Sequence, residues 1–149
     1  MRLWAKRSNT FYDMRKVKEE AVLLGVVSPD RLEVKWTAQC KVFEAFVLGA
    51  PVARVVAAFK DGLKLLKTCR LEIRIDGQKV VGDLPLLDSH RPLPYAETHM
   101  EFAAVEGDER VGIFIPNGVD VEAVVTSDSK TFPPVEISIG VVLYTASAP

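Results

Sequence analysis

The sequence predicts a mainly β fold, a β-sandwich with an N-terminal helix and room for a second helix at residues 51–67. Three observations carry this expectation. Apolar and polar residues alternate through most of the chain, as Leu71, Ile73 and Ile75 do against Glu72 and Arg74. Turn pairs such as Asp76-Gly77 and Asn117-Gly118 punctuate those runs. Nine Gly, nine Pro and 48% apolar residues in 149 positions describe a globular chain with many turns. A chain of this length suits one domain that buries roughly 68–70% of its unfolded surface.

Asn9 and Thr10 are good helix caps, and Phe11, Met14, Val17, Ala21 and Leu24 recur at helical spacing until Gly25, so a helix is expected over 11–24. Ser28-Pro29-Asp30 is a turn. Leu32, Val34 and Trp36 then alternate with Arg31, Glu33 and Lys35, the period of a half-buried strand. Residues 40–49, CKVFEAFVLG, are apolar on both alternations, which suits a strand covered on both faces. Residues 51–67 admit two readings. Val52, Val55, Val56, Phe59, Leu63 and Leu66 share a helical face behind Pro51, yet Lys60-Asp61-Gly62 also fits the turn of a hairpin.

The clearest element is the hairpin around Asp76-Gly77, in which Ile75 faces Gln78, Arg74 faces Lys79 and Ile73 faces Val80. Leu71, Ile73, Ile75 and Val80 should then share the core face. Three prolines in 84–94 predict an extended crossover. Four strands follow, at 98–105, 110–116, 119–126 and 135–145, separated by Glu106-Gly107-Asp108, Asn117-Gly118 and Pro133-Pro134. The expected organisation is a basic N-terminal arm and helix at 1–27 and a β-sandwich domain at 28–149.

Charge is unevenly spread. Arg2, Lys6, Arg7, Arg15, Lys16 and Lys18 face Asp13 alone in the first 18 residues, a balance of +5, so the remainder carries −6 within a net charge of −1. A basic arm on an acidic body can bind a neighbouring copy by Coulomb attraction, and a net charge near zero removes self-repulsion. The near-neutral total argues against nucleic acid as a partner, except through the arm itself, where Trp4, Phe11 and Tyr12 could stack on bases. Val124, Val142 and Tyr144 fall on the outer side of their strands, where apolar residues call for a cover. The expected subunit-interface residues are therefore Arg2, Trp4, Lys6, Arg7, Phe11, Tyr12, Val142 and Tyr144, and the expected partners are further copies or other protein chains.

No apolar run approaches the roughly 18 residues of a membrane span. The first 20 residues lack the apolar segment and cleavage site of a secretion signal, so synthesis and retention in the cytoplasm are expected. Cys40 and Cys69 belong to no CxxC pair and are expected as reduced, buried thiols.

Chemistry is weakly represented. Asp88-Ser89-His90 has the residue types of a hydrolase triad, but adjacent positions cannot supply its geometry and no GxSxG elbow accompanies them. His90 and His99, with Asp88, Glu97 and Glu101, match no common metal spacing. No enzyme activity, metal or cofactor is expected. The competing class is a carbohydrate-binding module that presents Trp36, Tyr95 or Tyr144 from a sheet or loop.

The stretches LEIRIDGQKVVGDLPL and VGIFIPNGVDVEAVVTSDSKTFPPVEISIGVVLYT resemble the jelly-roll strands of structural proteins from bacteriophage particles. The shared pattern is a strand ending in Ile-Pro, an Asn-Gly turn, an alternating strand and a long apolar last strand, over roughly residues 69–145. The resemblance implies a jelly-roll-like sandwich and a virion component, a capsid or head-decoration subunit without catalytic residues or cofactors.

Overall fold

Antiparallel pairing organises most of the described residues. The structure, a computed structural model, describes residues 1–57, 62–86, 102–107 and 109–147. Its elements are β1 (Arg2–Ala5), β2 (Thr10–Val27), β3 (Glu33–Thr37), β4 (Glu44–Val55), α1 (Gly62–Leu66), β5 (Cys69–Ile75), β6 (Gln78–Pro85), β7 (Phe102–Glu106), β8 (Glu109–Ile115), β9 (Asp120–Ser127) and β10 (Val135–Ala146). β1, β2, β10, β4, β8 and β7 form a closed barrel in that order, and β3, β9, β5 and β6 form a four-stranded sheet. The class is mainly β and sandwich-like.

The long strands β2, β10 and β4 serve both layers. Their inner face packs on the four-stranded sheet through Ile137, Ile139 and Val141 against Leu71, Ile73, Val121 and Val125, all nearly inaccessible. Each such side chain contributes about 1.5–3 kcal/mol of burial. A second, smaller core of Leu3, Met14, Ala45, Val47, Ala104 and Phe114 fills the barrel. β4 supplies Phe46 and Leu48 to the first core and Ala45 and Val47 to the second, so its apolar character on both alternations has a direct cause.

The expected N-terminal helix is instead the strand β2. It pairs with β10 from Met14↔Ala146 to Val27↔Val135, with register shifts at Ile137/Ser138 and Leu143/Tyr144. These shifts leave Leu24 and Val17 as extra residues, and each extra residue turns the two-residue period of a strand into a local spacing of three. That spacing imitates a helix. Residues 1–27, expected as an arm ahead of a separate body, are built into the barrel: β1 pairs with β2 and, from Leu3↔Ala104, with β7.

Neither expectation for 51–67 holds throughout. Residues 51–55 continue β4, where Val52 faces Ser138 and Arg54 faces Glu136, and α1 occupies only Gly62–Leu66. The middle of that stretch lies outside the described residues, as does most of the crossover at 84–94.

The 71–81 hairpin forms as expected at its tip. Asp76 and Gly77 adopt φ of 52° and 78°, and Ile75↔Gln78 and Arg74↔Lys79 pair. One step further the register shifts, so Ile73 faces Val81, which is buried in place of Val80.

Candidate functional site

The barrel core opens to solvent at one end as a cleft of about 310 Å³. Leu3, Met14, Phe102 and Phe114 line it, the Phe102 and Phe114 rings meet at a tilt with centroids 5.4 Å apart, and Tyr12 and Phe43 form its rim. Glu44 also contributes to the lining. β1 and β2 deliver Leu3 and Tyr12 as a cross-strand pair on the inner side.

The chain just before β4 shapes this rim. The Glu44 amide donates to the Lys41 carbonyl at 3.0 Å, the Lys41 amide donates to Glu44 Oε1 at 3.0 Å, and the Cys40 amide donates to Asn117 Oδ1 at 3.0 Å. Within that clamp Phe43 adopts φ of 69°, and its carbonyl accepts the Ala146 amide. A bulky side chain in this region costs about 1–3 kcal/mol and persists only where its surroundings over-determine it. The result is outward projection: Val42 is 80% exposed and Phe43 61%. Burial, followed by the nearby Glu44 charge, raises the Cys40 thiol above its ordinary range.

A second cluster lies on the outer side of the β1–β2 hairpin. Trp4 and Phe11 are cross-strand partners, and the Arg2 guanidinium sits 4.7 Å over the Phe11 ring while donating to the Gly107 carbonyl at 2.8 Å. Trp4 Nε1 donates to Asn9 Oδ1 at 3.1 Å, which closes the turn carrying exposed Lys6 and Arg7. The hairpin thus unites Arg2, Trp4, Lys6, Arg7 and Phe11. Tyr12 points to the opposite side, into the cleft rim. Val142 and Tyr144 are half-buried on β10; Tyr144 packs on the barrel core, and Val142, between Glu19 and Val47, lies on the same side of the sheet, the side that faces the barrel interior. They do not join the hairpin cluster.

Trp36, a candidate sugar platform, is half-buried and edge-on to Phe46 at 5.2 Å. Tyr95, and Asp88, Ser89, His90, Glu97, His99 and Glu101 with it, lie outside the described residues. Among the described residues no three His, Cys, Asp or Glu side chains gather into a metal-sized group. No helix among them is long and apolar enough to cross a membrane. Both cysteines are free; Cys69 is buried, its Sγ 3.2 Å from Ser127 Oγ, whereas Cys40 is only half-buried. Val42 and Phe43 escaped the sequence reading because they continue an apolar run, and residue type alone does not announce a left-handed phenylalanine. Neither a protein-family model nor a curated protein sequence matches the chain.

Proposed function

We propose that this chain is a structural subunit of a bacteriophage particle, a capsid or head-decoration component that is made in the host cytoplasm and works through repeated contacts with further copies or other coat proteins. The observation that carries the reading is the barrel mouth, where Val42 and Phe43 are held outward beside an open apolar cleft. Exposed aromatic anchors around a pocket are the usual energetic centre of a protein–protein contact. The basic hairpin, with Arg2 stacked on Phe11, adds a charged rim suited to an acidic neighbour. The jelly-roll likeness of residues 69–145 points the same way. The carbohydrate-binding alternative would draw on Trp36 and Tyr144, and both are half-buried against neighbours, which favours assembly.

Light scattering coupled to size exclusion, over a concentration series, tests the reading. Discrete oligomers are expected, and the double variant V42D/F43D should weaken the mouth contact by at least about tenfold, since anchor truncations commonly exceed 1–2 kcal/mol. A chain that stays strictly monomeric at the highest concentration, and adds to no coat assembly when mixed with one, overturns it.

A further inference from the structure

The two sheets present opposite kinds of surface to solvent. On the four-stranded sheet the outer side is charged and internally paired, with Lys35 bridging to Asp120 at 3.8 Å, Arg74 to Glu72, and Lys79 to Glu72 at 3.9 Å. Such a face is fully compatible with water. On β2, β10 and β4, beyond the point where the barrel ends, the outer side carries mostly uncharged residues that are half-buried to exposed, and no described element packs on it. The pairings Ala21↔Gly140, Leu23↔Ser138, Ser138↔Val52 and Val26↔Glu136 put Ala21, Leu23, Val26, Val52 and Gly140 on it, and Leu23 is 56% exposed.

We propose that this face is where two copies of the chain pack sheet against sheet about a two-fold axis, an inference that rests on the assembly reading above and adds a second contact to it. Charge complementarity selects a second copy as the occupant. The face is uncharged in the middle and carries one cation–anion pair at each end, Lys16–Glu19 near the barrel and Arg54–Glu136 at 3.1 Å at the far end. A surface with both signs at both ends matches itself when reversed, which is what an isologous contact needs. Neither a strongly basic nor a strongly acidic partner fits it as well. The net charge of −1 leaves little repulsion between copies.

The middle of the face is shaped for the same purpose. Gly140 lies on the central strand, its φ is outside the left-handed region, and an added Cβ would meet nothing nearer than the Ala50 carbonyl oxygen at 3.9 Å. The protomer therefore has room for a side chain there. On a two-fold face the centre meets its own copy, and a glycine at that point lets two backbones approach closely.

Sedimentation equilibrium of the wild-type chain, G140R and V42D/F43D tests the inference. The expected result is a dimer that survives V42D/F43D, together with at least about a tenfold weakening of that dimer in G140R at unchanged circular dichroism and thermal midpoint. If G140R fails to fold, L23D replaces it, since Leu23 is already 56% exposed in the protomer. Wild-type association that neither G140R nor L23D weakens overturns this face while leaving the assembly reading standing. A wild-type chain that is monomeric throughout overturns the face as well. A G140R dimer lost only with loss of the folded signal, and an L23D dimer as tight as wild type, likewise counts against it.

Discussion

Gly49 and Gly140 lie across from one another where β4 and β10 slip register, yet they answer to different constraints. A Cβ on Gly49 would stand 2.7 Å from the Gly140 carbonyl oxygen, a backbone atom that cannot swing aside. Gly49→Ala should therefore destabilise the fold by about 1–3 kcal/mol, the usual cost of overpacking. Gly140→Ala should stay within about 0.5 kcal/mol of wild type. Urea midpoints for the two variants check the contrast, and equal midpoints would remove the steric account of Gly49. Cys40 offers a chemical test at the same scale. Its thiol pKa is raised, first by burial and then by Glu44, so at any given pH less of it is thiolate than in a free thiol. Alkylation by iodoacetamide should accordingly begin at higher pH than for free cysteine, and Glu44→Gln should move the onset back down. An onset matching free cysteine would mean that the thiol is neither desolvated nor affected by the carboxylate.

Among the elements, β2 shows most clearly how local preference yields to context. Its Met14, Lys16, Lys18, Glu19, Glu20, Ala21, Leu23 and Leu24 are all good helix formers. A single helix would have to bury its stripe alone, whereas the strand gains twelve paired positions with β10 and a place in two cores. Propensities of a few tenths of a kcal/mol per residue do not outweigh that. The same integration changes what the N-terminus is for. β1 buries Leu3 and Ala5 and bridges β2 to β7, so it closes the barrel and is not a detachable arm. Deleting residues 2–10 should lower the thermal midpoint and raise dye binding by exposed apolar surface, because it uncovers Met14, Ala104 and Phe114 and leaves two strand edges unpaired. A truncated chain with the wild-type midpoint would show that the barrel holds without β1.

At the scale of the whole molecule, stability should be graded from the shared strands outward. β10 is paired on both sides, with β2 and with β4, and sends Ile137, Ile139 and Val141 into the larger core. β1 is four residues long and is held by partners on either side of the smaller core. Hydrogen exchange should be slowest at the central amides of β10 and markedly faster in β1 and β7, since local openings draw on regions with fewer buried contacts. Uniform protection across both would mean that barrel and sandwich unfold as one unit. Barrel closure joins Leu3 to Ala104 across the chain, so folding must close long loops before it gains those contacts.

The residues themselves determined the period-two strands β5, β9 and β10, the Asp76-Gly77 turn and the two-sided burial of β4, because alternation and turn chemistry act within a few positions and report directly on the face each side chain takes. Closeness in sequence also grouped Arg2, Trp4, Lys6, Arg7 and Phe11, although the hairpin that carries them stands in place of the expected arm and helix. Only the tertiary structure decided that 10–27 is a bulged strand, that Val81 replaces Val80 in the core, that Phe43 turns outward at a barrel mouth, and that Val142 and Tyr144 stand apart from the hairpin. Each of those outcomes depends on register against a strand far away in the chain. A one-residue slip exchanges the faces of everything beyond it, and no local pattern records where the slip occurs.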